Sequence, residues 1–257
     1  MEQIKRQKLI LEMVKVNGEV RTKELAEKFD VSLMTIRRDL KELEKTGEIL
    51  LVHGGAVYKE NSLVEHPMSV KELEYVNQKR LIGQYGSRIM KPGSSVFMET
   101  GTATLAAAKE IFHKKDCTFY TNSLLVLNSL SKYEEINLYA VPGKYRDLSK
   151  GFIGVQTIDY IRNLNFDYCL IGTEGISVEA GVTLIDENDA GTKKAIMKQS
   201  KCKILLTHSG KFGKVFLHKI GEVSDFDFII TDDHINKKIY NQINKMTNII
   251  AVSEEHV

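Results

Sequence analysis

Apolar residues recur at helical spacing from the start of the chain: Ile4, Leu9, Ile10, Met13 and Val14 make one stripe, which stops at Val16-Asn17-Gly18. Asn or Gly there can take the left-handed conformation that closes a helix. Thr22 then stands as a hydroxyl N-cap before a helix of about two turns with Leu25, Ala26 and Phe29 on one face. Ser32 caps another, in which Ile36, Leu40 and Leu43 fall at i, i+4 and i+7. With those three pointing inward, Leu33, Met34, Thr35, Arg37, Arg38 and Lys41 are left on the outer surface. After Lys45-Thr46-Gly47 the period shortens to that of strands: residues 48–52 and 56–58 flank His53-Gly54-Gly55, which predicts a β-hairpin.

Small and basic side chains thus crowd the first turn of the helix that begins after Ser32. A helix-turn-helix enters the major groove with that end, where arginines bind guanine or phosphate bidentately and free N–H groups attract anions. The same residues also fit a helical interaction module with a solvated basic face.

Residues 59–72 lose periodicity and contain Pro67, so they read as a connector between a first domain at 1–58 and a second at 73–257. A helix from about Glu72, with Leu73, Val76, Ile82, Tyr85 and Ile89 as its apolar face, is expected to end at Lys91-Pro92-Gly93. Seven apolar runs follow, at 95–98, 118–121, 137–141, 168–171, 203–207, 228–231 and 249–252, alternating with helical stretches. Strand and helix in alternation predict an α/β domain with a mainly parallel sheet covered on both faces and ligands beyond the strands' carboxyl ends.

Those ends carry chemistry. The first run leads into Glu99-Thr100-Gly101-Thr102-Ala103-Thr104, a hydroxyl-rich loop that reads as a phosphate cradle or as ordinary helix capping. Thr121-Asn122-Ser123, Gly143 to Arg146 and the segment from Thr207 to Lys211 place further polar and cationic groups at strand ends. Thr192-Lys193-Lys194, expected to open a helix, adds ammonium groups.

Bulk charge adds little: the chain's net charge is +2, and residues 1–58 hold eleven Lys or Arg against ten Asp or Glu. A DNA-binding reading therefore rests on placement of charge, because one face only meets phosphate. At 257 residues and 42% hydrophobic content the chain can bury two cores. Without a long uncharged apolar run, a cytoplasmic protein with no membrane partner is expected. Cys117, Cys169 and Cys202 lack paired spacing, which predicts buried reduced thiols and neither a metal nor a cofactor.

The strings Val31-Ser32-Leu33-Met34-Thr35-Ile36-Arg37-Arg38-Asp39-Leu40 and Val52-His53-Gly54-Gly55-Ala56, together with the later loops, resemble the DeoR family of bacterial transcriptional regulators. The resemblance implies a winged helix-turn-helix followed by a sensor domain with a ribose-5-phosphate-isomerase-like fold. It implies a non-enzymatic repressor of a carbohydrate operon, acting on double-stranded operator DNA as a homodimer or homotetramer and relieved by a sugar phosphate. Thr22, Ser32, Leu33, Met34, Thr35, Arg37, Arg38 and Lys41 would then form the DNA-binding set. His53 would lie on the wing beside the DNA backbone, or else hold the hairpin turn. Glu99, Thr100, Gly101, Thr102, Thr104, Thr121, Asn122, Ser123, Gly143, Arg146, Lys193 and Lys211 would form the effector set. Ala103, Pro142 and His208-Ser209-Gly210 depart from the family's pattern, at a threonine, a glycine and an Asp-Ser-Ser segment respectively. The rival reading is a sugar-phosphate isomerase-like enzyme fused to a DNA-binding module, with Glu99 and Glu174 as candidate bases.

Overall fold

The computed structural model describes residues 3–45, 48–58, 65, 67–72, 74–111, 116–134 and 136–256. Thr46, Gly47, most of the expected connector (59–64 and His66) and Leu73 lie outside them. The chain divides into two compact units, residues 1–73 and 74–257.

The first unit runs α1 (Gln3–Asn17), β1 (Glu19–Arg21), α2 (Thr22–Phe29), α3 (Leu33–Glu44), β2 (Ile49–Val52), β3 (Gly55–Tyr58) and a short α4 (Met68–Lys71). Ile10, Val14, Leu25, Ile36, Leu40, Leu43 and Ile49 close its core. The inward stripe of α1 is Arg6, Ile10 and Val14, whereas Ile4, expected on that face, is 82% exposed. Antiparallel β2 and β3 form the expected hairpin, and β1, too short to show a period, adds to β3 as a third strand. Glycine is required at position 55, where a Cβ would overlap the carbonyl oxygen of Val20 in β1. The result is a winged helix-turn-helix.

In the second unit the strands β4 (Ser95–Met98), β5 (Thr118–Thr121), β6 (Asn137–Ala140), β9 (Phe166–Ile171), β12 (Ser200–Leu206), β14 (Phe228–Asp232) and β15 (Asn248–Val252) form one sheet. Between β6 and β9 come β7 (Lys144–Arg146) and β8 (Gly151–Ile153), and β10 (Gly175–Ser177), β11 (Gly181–Leu184) and β13 (His218–Gly221) make a small antiparallel sheet. All pairings in the main sheet are parallel, in the order β15-β14-β12-β9-β4-β5-β6. The chain adds β5 and β6 on one side of β4, then returns to build β9, β12, β14 and β15 on the other. That reversal sets the loops leaving β4 and β9 side by side beyond the carboxyl ends, the position at which open parallel sheets bind ligands.

Alternation along the strands feeds two cores, as a sheet covered on both faces demands. Val96, Met98, Leu206 and Ile230 pack under α5 (Val76–Ile89), α6 (Thr102–Ala108) and α7 (Leu124–Leu130). Phe97, Cys169, Leu205 and Ile229 pack under α8 (Val155–Arg162), α9 (Glu187–Lys198) and α10 (Lys237–Ile243). The helix expected from Glu72 begins at Val76, which is 57% exposed, and its inward face carries Lys79 beside Leu81 and Ile82. A further difference concerns α9: it starts at Glu187, with Asp186 as a cap accepting from the Asp189 N–H, so Thr192 and Lys193 lie in mid-helix. Cys117 and Cys169 are buried and Cys202 half-buried, all as free thiols; burial pushes Cys169 up to about 12.

Candidate functional site

On the first unit the outer face of α3 is as the pattern predicts. Ser32 Oγ accepts from the Thr35 N–H at 3.1 Å and fixes the first turn, leaving Leu33, Met34, Arg37, Arg38 and Lys41 exposed and Thr35 half-buried. Met34 is 71% exposed. His53 is exposed at the wing turn beside Gly54, whose φ of 85° demands glycine. Thr22 differs from the expectation: it is the first residue of α2 behind Arg21, its side chain is buried, and its N–H donates to the Gly54 carbonyl at 2.7 Å. It anchors the wing to α2 and presents no side chain outward. Sequence reading also missed Asp39, on the inward face of α3, where Arg6 Nε donates to it at 2.6 Å and Gln7 Nε2 at 3.2 Å.

On the second unit the loops at this reversal gather around Glu99. The end of β4 buries this carboxylate completely, Lys193 of α9 pairs with its Oε2, and the Thr100 hydroxyl donates to its Oε1. Gly101, at φ 147°, turns the chain into α6; a Cβ there would meet Thr104 Oγ1 and approach Gly172 Cα after β9 to 3.9 Å. The β7–β8 hairpin folds onto the same place, since Asn122 Nδ2 donates to the Phe152 carbonyl at 3.0 Å and a Cβ on Gly151 would overlap Thr100. Arg146 of β7 reaches Asp186 at 3.5 Å and Asp189 at 3.6 Å, at the first turn of α9. Asp189 and Lys193 are one helical turn apart, so Arg146 and Glu99 address the same face of α9.

Glu99, Thr100, Gly101, Thr104, Asn122 and Lys193 are therefore brought together, with Thr102 opening α6 and Arg146 at the margin. Thr104 Oγ1, Asn122 Oδ1 and Ser149 Oγ, in or beside these loops, are buried without a hydrogen-bond partner among the described residues. A buried polar atom left unpaired is costly, so a cluster of them at strand ends suits a ligand. Thr121 and Ser123 serve the loop instead: Thr121 Oγ1 donates to the Met98 carbonyl and accepts the Ser123 N–H, while Ser123 Oγ caps α7. Gly143 is required because a Cβ would overlap Thr157 Oγ1, which donates to the Pro142 carbonyl. Glu174, one of the two candidate bases, accepts the Ile185 N–H at 3.1 Å.

Lys211 closes a 3-10 turn, Ser209–Lys211, after β12, two strands from β4. Its neighbour His208 is 7% exposed, and burial together with the ammonium groups of Lys211, Lys79 and Lys214 pushes the imidazole down to about 2. Above pH 6.5 folded and unfolded chains both hold this histidine neutral; below it the unfolded chain takes a proton that the folded chain refuses, so stability falls with pH. His208→Gln should therefore lose about 2–3 kcal/mol less than the wild type between pH 7.5 and 4.5, measured by urea unfolding at each pH. Parallel pH profiles for the two proteins would refute it.

Among known proteins, residues 6–62 match the family described as the DeoR-like helix-turn-helix domain and residues 74–233 match the DeoR C terminal sensor domain. The chain is 33% identical over 232 residues to the glycerol-3-phosphate regulon repressor of Escherichia coli (strain K12), covering 90% of this chain and 92% of that one. It is 32% identical to a lactose phosphotransferase system repressor of Staphylococcus epidermidis, covering 88% and 90%. The solved ribose 5-phosphate isomerase A of Methanocaldococcus jannaschii aligns at a TM-score of 0.41 and 12% identity over 54% of this chain, which spans 55% of that structure's length. With both units matched in turn and relatives aligned across nine-tenths of its length, the chain belongs to the DeoR family of DNA-binding transcriptional regulators.

Proposed function

We propose that the protein represses a carbohydrate operon in the cytoplasm, binding operator DNA as a homodimer or homotetramer and releasing it when the second unit takes up a phosphorylated sugar. The observation that carries the sensing half is the set of unpartnered polar atoms, Thr104 Oγ1, Asn122 Oδ1 and Ser149 Oγ, gathered around the buried Glu99–Lys193 pair. They offer donors and acceptors to sugar hydroxyls, while Lys211 and Arg146 supply cationic groups for a phosphate. Relatives named as repressors of a glycerol-3-phosphate regulon and of a lactose phosphotransferase system support repression. Among the described residues no helix is long and apolar enough to cross a membrane. A catalytic role is disfavoured because Glu99 and Glu174, the carboxylates that could act as bases, are held by Lys193, Thr100 and the Ile185 N–H.

The test is a thermal-shift screen of the full chain against sugar phosphates and their unphosphorylated parents. A ligand at about 100 times its Kd should add about 2.7 kcal/mol of stability. A response to a phosphorylated sugar and none to its parent is expected, and no response across the panel would sink the sensing reading. Arg37→Ala should weaken operator binding by about 5- to 150-fold, the worth of one bidentate contact, and leave ligand stabilisation intact. Lys211→Ala should do the reverse. Equal losses in both assays for either variant would contradict the separation of roles.

A further inference from the structure

The connector from the DNA-binding unit enters the second unit at Glu74–Tyr75, and Tyr75 stands there in an unusual state. Its φ of 50° puts a bulky residue in the left-handed region, sparsely populated for any side chain but glycine. Its carbonyl nevertheless accepts the Lys79 N–H at 2.9 Å and so begins α5. What holds it is a ring contact: Tyr75 stacks on His208, centroids 3.8 Å apart and planes 19° from parallel.

His208 belongs to the other side of the matter. Its carbonyl accepts the Lys211 N–H at 3.1 Å, so the imidazole and the ammonium of Lys211 are carried by one tight turn. The turn is fixed beneath by the Ser209 N–H, which donates to the buried carboxylate of Asp232 at 2.7 Å. Above it, glycine at 210 leaves the room that the tyrosine fills: a Cβ there would come within 2.6 Å of Tyr75 Oη and 3.1 Å of His208 Nδ1. His208 Nδ1 itself is buried with no hydrogen-bond partner among the described residues, so the ring is held by packing and is open to a new bond.

We infer that the Tyr75–His208 stack is the coupling element through which the Lys211 turn, on engaging the effector, acts on the segment leading to the DNA-binding unit. Engagement of Lys211 moves the turn, the turn moves His208, and loss of the stack frees Tyr75 from its constrained backbone. His208 and Tyr75 are positioning residues here. The inference rests on the effector reading given above.

Gly210→Ala tests it, because the new methyl presses on the stack itself, within 2.6 Å of Tyr75 Oη and 3.1 Å of His208 Nδ1, and the tyrosine ring, the nearer of the two, can swing aside. Tyr75→Phe, which keeps the stack, is its control. Both are compared with the wild type as full chains, using a duplex selected from a random pool by the wild type and the sugar-phosphate panel as ligands. The stabilising sugar phosphate should lower wild-type affinity for the duplex about 5- to 150-fold. Tyr75→Phe should respond alike. Gly210→Ala should keep ligand stabilisation and duplex binding, while its ligand response shrinks to a small fraction of the wild type's. A full response in Gly210→Ala overturns the coupling and leaves the effector reading standing, and a loss of ligand stabilisation in that variant overturns it too, by placing the effect on binding. If no sugar phosphate stabilises even the wild type, the effector reading falls and the coupling with it.

Discussion

Lys193→Met is expected to destabilise the second unit by about 3–5 kcal/mol, the usual cost of leaving one charge of a buried pair alone. Lys193 is 4% exposed and Glu99 fully buried. Without the ammonium, the Glu99 carboxylate keeps the Thr100 hydroxyl as its described partner, and water cannot reach it. For a unit of this size the loss corresponds to roughly 6–20 °C in Tm. Methionine preserves most of the volume, so the effect reads charge and not a cavity. The double variant Lys193→Met with Glu99→Gln should recover much of the loss, since a buried ion pair replaced on both sides is often close to neutral. Calorimetry of the three proteins decides it. A single variant as stable as the wild type would mean that the pair does not organise these strand ends.

Neither half of that pair announces its partner in the sequence. Glu99 follows an apolar run and could be read as a strand-end group, but Lys193 is 94 residues away. Its helix could be misplaced because Asp186-Glu187-Asn188 looks like a loop until Asp186 is seen to cap. The seven main strands were legible for a local reason: each is a short apolar run between polar or glycine-bearing segments, and the central ones are buried on both faces, whereas the edge strand β6 is largely exposed. Their order was not, since placing β9 beside β4 depends on long-range packing. The β7–β8 hairpin and the β10-β11-β13 sheet stayed hidden because strands of three or four residues, such as Lys144-Tyr145-Arg146, show no period. In the first unit the outer face of α3 followed from Ile36, Leu40 and Leu43 alone. Thr22 misled because a hydroxyl before a helix reads equally as a cap or as its first buried residue.

Asp39→Ala should be as damaging to the first unit, and there the loss extends to function. Asp39 is 1% exposed and Arg6 6%, so removing the carboxylate takes from a buried guanidinium its partner at 2.6 Å, at a cost of about 3 kcal/mol or more. A unit of 73 residues has only roughly 4–11 kcal/mol in hand. The two hydrogen bonds from Arg6 and Gln7 tie α1 to α3 on the face opposite Arg37 and Arg38, so Asp39 sets how the reading face is presented. Asp39→Ala should therefore lower both stability and operator affinity, whereas Arg37→Ala lowers affinity alone. The double variant Arg6→Met with Asp39→Leu separates the two consequences: it should regain stability by replacing the pair with apolar packing, and it regains affinity only if that packing restores the tilt of α3. Hydrogen exchange over residues 3–45 in the full chain measures the first and binding to the selected duplex the second. Unchanged exchange in Asp39→Ala would show that the hydrophobic contacts of Ile36, Leu40 and Leu43 orient the helix without help from the ion pair.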